Sequence, residues 1–569
     1  MASDDHVEDS ERPPGFTSLS GEDLQTVPRW WAKAAQAHGR RELIRHEGRS
    51  ATFEEIDLRS ARLARALIAE GAGKGSRIGI LLPNGADWIV SFLAITRIGG
   101  VAVALSTFFS SGELRYAIWH SDIAFLLAAD RYLRHDYLER MVQALPGLEG
   151  SDGTSPLALC SCPHLRGIWL FGDRTAPKWA RGHAAELEGR GAESSIWSQA
   201  LLAALEAVVS PADAAVIIYT SGSTAEPKGV VHLQGTLVDK VLFMVTARWA
   251  TPWDLTPDDR SIVTGPFFWI GGFLVLAGAV TIGATVVCVD EHSPEALFDA
   301  IRREDATQVG GQVSGLRSIA HCAHNVGGLT QLKPQNPVQR PFFNDDPSIA
   351  PDRFCNSLGM TETFGPHSGQ LSPELLPEHL AGSFGVALGG MELKIADPVT
   401  GVQLEAGQEG ELLVRGPWLM DGFYKRERRK VFLADGYYAT GDKALIDDEG
   451  NLFYRGRLSG MIKTSGANVS PEEVEVVLRG HPAIAEVAVV GMPDETAGEI
   501  VVAAVVLRHD HSISEFALRS ALKGQLSSFK IPRRILFVAD RDLPRTPSAK
   551  IRKPQLIQML RGMLGDRVP

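Results

Sequence analysis

The stretch 51–145 alternates two hydrophobic periods, and that alternation limits the folds open to the chain. Thr52 to Glu70 carries apolar residues at helical spacing, among them Ile56, Leu63, Leu67 and Ile68. Ile78-Gly79-Ile80-Leu81-Leu82 reads as a buried strand, Trp88 to Ile98 as a helix, and Val101-Ala102-Val103-Ala104-Leu105 as a further strand. Strands that are apolar at nearly every position, separated by helices, predict a largely parallel sheet with helices on both faces. The rhythm resumes over 214–320. Residues 380–455 differ: short runs such as Glu411-Leu412-Leu413-Val414 and Asn451-Leu452-Phe453-Tyr454 stand between Gly, Pro and Asp, which predicts a β-rich subdomain. From about 460 the pattern becomes a compact α+β unit. It has a helix from Ser470 or Pro471, strands near 483–490 and 499–508, a helix near 514–526 and a last helix from Lys553. A chain of 569 residues is too long for one core. We expect a disordered lead-in over 1–24, an α/β domain over 25–457 and a small α+β domain over 458–569, with the boundary at Gly456-Arg457-Leu458-Ser459-Gly460.

The net charge is −11, so the surface is not built to bind nucleic acid, and any phosphate site must be local. Five scattered cysteines argue for a reducing compartment, and Cys160-Ser161-Cys162 has no second Cys/His pair at metal-ligand spacing. No H-E-x-x-H occurs among the histidines. Residues 1–14 are acidic and end in Pro-Pro, the reverse of a signal peptide. Pro266 to Val289 is almost free of charge, but its glycines break it into a buried helix and then a buried strand, not a membrane span. A cytoplasmic location is expected. Gly71-Ala72-Gly73-Lys74-Gly75 precedes a strand where a dinucleotide loop would follow one, and carries no nucleotide reading.

Chemistry enters at Tyr219-Thr220-Ser221-Gly222-Ser223-Thr224-Ala225-Glu226-Pro227-Lys228-Gly229, directly after the apolar run Ala214 to Ile218. A Gly/Ser/Thr loop leaving a strand can turn its N–H groups and hydroxyls toward a polyphosphate, and Lys228 adds a charge. The loop is not a Walker A, because Pro227 stands where that motif needs glycine and Gly229 where it needs Ser or Thr. Alone it could be a surface turn with a solvated lysine. Four further segments bear on it: Asn356-Ser357-Leu358-Gly359-Met360-Thr361-Glu362-Thr363, Tyr438-Ala439-Thr440-Gly441-Asp442 with its acid in a tight turn, Arg455-Gly456-Arg457, and Arg545-Thr546-Pro547-Ser548-Ala549-Lys550. Each has a bland reading of its own: a helix-cap acid, a turn former, a solvated charge, a tail lysine.

In this order the five segments resemble the adenylate-forming superfamily of acyl-CoA synthetases, luciferases and peptide-synthetase adenylation domains, over about residues 25 to 560. The resemblance implies that ATP activates a carboxylic acid as an acyl adenylate, after which a thiol displaces AMP. It implies that Thr220, Ser221, Gly222, Ser223, Thr224 and Lys228 hold the β- and γ-phosphates, that Thr361 meets the α-phosphate, and that Glu362 helps hold Mg²⁺. Asp442 would accept hydrogen bonds from the ribose hydroxyls, with Arg457 beside it, and Lys550 would bridge the substrate carboxylate and α-phosphate. It further implies a mobile C-terminal domain that pivots at Ser459, withdrawing Lys550 and bringing Lys463 and Gly466 to the site for transfer to CoA. It admits a homodimer.

Several positions depart from the family pattern. Ala225 replaces a glycine, Ser459 a charged hinge residue, and Leu358, before Gly359, an aromatic that stacks on adenine. Trp269 stands where relatives carry a histidine. With Phe268, Ile270 and Phe273 it would form an apolar wall for the acyl group, and Leu358 and Gly359 would border the same pocket. Phe273 is equally well read as core. No Lys or Arg stands in the 266–273 segment to pair a second carboxylate, which favours a hydrophobic acid: fatty, aryl or alicyclic. The leading expectation is an AMP-forming acyl-CoA ligase using ATP, Mg²⁺ and CoA. Its rivals are a ligase passing the acyl group to a separate carrier-protein thiol or an amine, and a nucleotide-binding relative that has lost catalysis.

Overall fold

The computed structural model describes residues 25–193, 198–220, 227–246, 255–291, 293–310, 332, 353, 356–370, 375–458, 460–494, 496–509, 511–545 and 551–564. The β/α rhythm becomes two sheets where one was expected. The larger has eight strands in the order Gly422–Phe423, Lys228–Leu233, Ala214–Thr220, Val101–Ala104, Arg77–Leu81, Phe125–Ala129, Gly167–Phe171, Gly182–His183. Only Lys228–Leu233 runs against the others, so the first two pairings are antiparallel and the rest parallel. The second has the order Gln308–Gly310, Arg260–Val263, Thr285–Cys288, Glu42–His46, Arg49–Thr52, antiparallel only at its last strand. Central strands such as Val101–Ala104 and Phe125–Ala129 are buried throughout, as burial on both faces requires. The helix Phe53–Ala69 starts at a capping box: Glu55 N–H donates to Thr52 Oγ1 at 3.2 Å, and Thr52 N–H to Glu55 Oε2 at 2.8 Å.

Pro266 to Val289 forms the helix Ile270–Ile282 and the strand Thr285–Cys288, and Gly283 closes the helix at φ +87°. Among the described residues no helix is long and apolar enough to cross a membrane. The β-rich section is a four-stranded antiparallel sheet, Glu392–Ala396, Gly410–Arg415, Tyr438–Ile446 and Leu452–Arg457, beside a three-stranded one, Ser357–Met360, Gly365–Gly369 and Val386–Ala387.

The last unit is built on the long hairpin Ile484–Asp494 and Gly498–Leu507. Its strands alternate between two cores. Val487, Val489, Val501, Ala503 and Val505 pack with Val474, Leu478, Leu518 and Leu522 of the helices Pro471–Arg479 and Glu515–Leu522. Ala488, Val490, Val502, Ala504 and Val506 pack with Leu556 and Leu560 of the helix Lys553–Leu564. This is the period-two pattern of a sheet covered on both sides. The helix read over 514–526 stops at Leu522, where Lys523 turns extended.

Candidate active site

The phosphate loop is narrower than its sequence suggests. Tyr219 and Thr220 finish one strand, Lys228 and Gly229 open the next, and Thr220 pairs with Lys228 across the antiparallel ladder. Lys228 is thus a strand residue held in register, its ammonium 5.2 Å from the Phe423 ring. Ser221, Gly222, Ser223 and Thr224, with Ala225, lie outside the described residues.

Thr361 and Glu362 stand in the single turn Thr361–Thr363 that leaves the strand Ser357–Met360. Two bonds fix that turn: His232 Nε2–H donates to Thr361 O at 2.7 Å, and Met420 N–H to Glu362 O at 2.8 Å. His232 is fully buried, and burial pulls its imidazole down to about 4, so the ring is neutral. Burial pushes the Glu362 carboxyl up, while the charges of Arg457 and Lys228 pull the other way. Burial also pulls the Lys228 ammonium down, with Arg426 adding to it.

The sequence places Asp442 at the end of a β run, in a tight turn. It lies inside the strand Tyr438–Ile446, opposite Arg457, beside a register irregularity. Gly441 alone keeps the turn-like conformation, at φ +74°. Asp442 is 4% exposed, and its Oδ1 is 2.9 Å from Arg457 Nε. Arg457 Nη1–H donates to Thr440 O at 2.7 Å, and Asp442 N–H to Thr440 Oγ1 at 3.0 Å. Burial raises the Asp442 carboxyl, opposed by Arg457 and then Lys463. Lys463 comes from the hairpin of Ile462–Thr464 and Ala467–Val469, and its Nζ lies 4.5 Å from the Tyr454 ring. That hairpin turns on Ser465 at φ +45° and Gly466 at φ +81°, the two left-handed residues of a type I′ turn. The structure therefore brings Lys228, Glu362, Asp442, Arg457 and Lys463 into one electrostatic neighbourhood. Ser459 and Lys550 lie outside the described residues.

Of the acyl-wall residues, Phe268 is buried, Trp269 and Ile270 are half-buried, and Trp269 caps the helix Ile270–Ile282. Phe108 touches both Phe268 and Trp269, at ring distances of 5.7 and 5.6 Å. Phe273 is core, edge-on to Trp88, Phe92 and Phe364. Leu358 packs with Leu388, Met391 and Trp418 in a core apart from the Phe268–Trp269 pair. At Gly359 a Cβ would come within 2.4 Å of the Gly365 backbone, so only glycine lets the two strands meet there.

Sequence reasoning missed a second contact zone. Phe529 places its ring 6.2 Å from both Trp269 and Phe108. Next to it Lys530 Nζ donates to Glu113 Oε1 at 2.6 Å and Glu473 Oε1 at 2.7 Å, and Ser527 Oγ–H donates to Glu113 Oε2 at 2.7 Å. Glu113 also closes the capping box of the helix Ser111–His120. Nothing in the sequence ties Lys530 to Glu113, 417 positions away.

The fold is a large mixed α/β domain followed by a smaller α+β one. The AMP-binding enzyme profile matches residues 30–424, and that of the AMP-binding enzyme C-terminal domain residues 473–550; the chain belongs to the AMP-binding enzyme family. A relative is the 2-succinylbenzoate–CoA ligase of Bacillus subtilis, 30% identical over 95% of this chain and all of that one. The amide bond synthetase of Marinactinospora thermotolerans aligns with a TM-score of 0.74 at 26% identity, over 93% of this chain and 99% of that one. A double variant of the Bacillus subtilis o-succinylbenzoate CoA synthetase, bound to a product analogue, aligns at 0.70 and 26% identity, over 93% and 98%. The same synthetase with its acyl-adenylate intermediate aligns at only 0.58, over 93% and 97%.

Proposed function

We propose that the chain is an AMP-forming acyl-CoA ligase for a hydrophobic carboxylic acid. The convergence of Lys228, Glu362, Asp442, Arg457 and Lys463, drawn from strands and turns far apart in sequence, carries this reading. Lys228 and the 220–224 segment hold the β- and γ-phosphates of ATP, and Thr361 meets the α-phosphate. Asp442, paired with Arg457, accepts from the ribose hydroxyls. Glu362, buried beside Lys228 and Arg457, would offer Mg²⁺ a hard oxygen, and the ion would supply neutralisation for the phosphates. Lys550 assists adenylation. The boundary lies at Ser459, where the smaller domain pivots, and Lys463 and Gly466 serve the thioester step. The observed contact of Lys463 with Tyr454, together with the better match to a product-analogue complex, supports a second-step arrangement here.

The test is pyrophosphate release over a panel of hydrophobic acids. Release without CoA, and thioester only with CoA, is expected. No release from any acid by a protein that still binds ATP would leave only a nucleotide-binding relative. A second reading, transfer to an amine, has support in the likeness to an amide bond synthetase. Product formed with amines and none with CoA would decide for it.

A further inference from the structure

Two helices from distant parts of the chain begin with the same device. Ser110 caps the helix Ser111–His120 and Ser470 the helix Pro471–Arg479, and each helix carries a glutamate at its third position, Glu113 and Glu473. The two glutamates are 7% and 4% exposed. Lys530 Nζ stands between them, donating to Glu113 Oε1 at 2.6 Å and to Glu473 Oε1 at 2.7 Å. Glu113 belongs to the large domain, Lys530 and Glu473 to the small one, so the contact crosses between the two. Close packing surrounds it. A Cβ on Gly112 would lie 3.8 Å from Gly524 O, and the Phe529 ring reaches Phe108 and Trp269.

Each half of the contact keeps a partner without the other. Ser110 N–H donates to Glu113 Oε2 at 2.8 Å, within the large domain. Lys530 keeps the Glu473 carboxylate, within the small one. When the domains part, water can replace the bonds from Lys530 and Ser527 to Glu113, and neither helix loses its start. The closed contact excludes water, which strengthens the attraction between its charges. It also depends on hydrogen bonds of 2.6 to 2.7 Å, so a displacement of a few ångströms abolishes it. Such a contact is specific to one arrangement of the domains and can form and break repeatedly. In that arrangement Lys463 of the small domain lies 4.5 Å from the Tyr454 ring, where its charge acts on the Asp442 carboxyl.

We propose that Glu113 and Lys530 form a latch that holds the small domain in this arrangement and so positions the residues of the thioester step. Neither touches substrate; both are positioning residues. The latch must open before adenylation, so it favours the second half-reaction at the expense of the first. Its kinetic consequence rests on the ligase reading above; the contact itself does not.

Glu113→Gln isolates the latch, because glutamine at the third position also closes a capping box with Ser110 while removing the charge that faces Lys530. Transfer from a supplied acyl adenylate to CoA should slow by about tenfold or more, and pyrophosphate release without CoA should hold or rise. Ser527→Ala removes one hydroxyl from Glu113 Oε2 and spares the charge pair, so it should slow transfer by only about two- to fivefold. A role in stability alone would lower both half-reactions together. Amide hydrogen exchange in the free protein needs no substrate. In Glu113→Gln the segment 524–530 should exchange at least about fivefold faster, with the hairpin of Ile484–Asp494 and Gly498–Leu507 unchanged. Parallel loss in the two half-reactions, or transfer at the wild-type rate, overturns the proposal. If no acid releases pyrophosphate, the ligase reading falls and exchange decides the latch: faster exchange at 524–530 keeps it, and unchanged exchange removes it.

Discussion

Two buried lysines mark two regions built on opposite principles. Lys530 is 3% exposed between the carboxylates of Glu113 and Glu473, and Ser527 takes up the second Glu113 oxygen. Burial alone would lower its pKa, but the two carboxylates outweigh burial and raise it. Lys240 is just as deep, against a ring and one carbonyl, with no carboxylate paired to it among the described residues and a lowered pKa. The protein closes the first charge itself and leaves the second open. A closed charge fixes an arrangement of elements.

Removal of each lysine separates the cases most strongly. Lys530→Met leaves two buried carboxylates facing each other and should cost roughly 3–5 kcal/mol in chemical denaturation. Lys240→Met removes a charge that Asp239 offsets only in part and should cost no more than about 1 kcal/mol. Equal losses would erase the distinction.

The pH dependence should differ in sign as well. Lys240 titrates at about 7 when folded, against about 10.4 for an ordinary lysine. Between those values the unfolded chain holds a proton that the folded chain has lost, so this group makes stability rise with pH across that window. The gap in stability between wild type and Lys240→Met should shift in favour of wild type from pH 7 to 9. Lys530 has a raised folded pKa, so its contribution is complete below about 10.4 and fades only above it. A Lys240→Met gap that does not move with pH would show the ammonium to be ordinary.

The smallest expected effect is at the rim of the closed region. Phe529→Ala loses edge contacts to Trp269 and Phe108 and should slow thioester formation by about two- to tenfold, with adenylation unchanged. Stopped assays of the two half-reactions would resolve it. A slower adenylation instead would assign Phe529 to the acyl wall.

Much of this was legible in the chain because it is written locally. The helical spacing over Thr52 to Glu70, the apolar strands and the glycine-broken run after Pro266 carry their structure in adjacent residues. The family motifs located the residues that converge at the site. What escaped depends on long-range register. Asp442 reads as a turn residue until pairing with Arg457 places it within a strand. Lys228 reads as part of a loop until pairing with Thr220 makes it a strand residue. Lys530 and Glu113 show no sequence link. Lys240 did leave a signal: it sits in Leu237-Val238-Asp239-Lys240-Val241-Leu242-Phe243, where apolar residues on all sides leave a charge no route to solvent.

The central claim, two half-reactions served by different parts of the smaller domain, is tested most directly with Lys550→Ala. Adenylation should fall by about 10²–10³, while a supplied acyl adenylate and CoA still give thioester at a near wild-type rate. Equal loss of both steps would contradict the account.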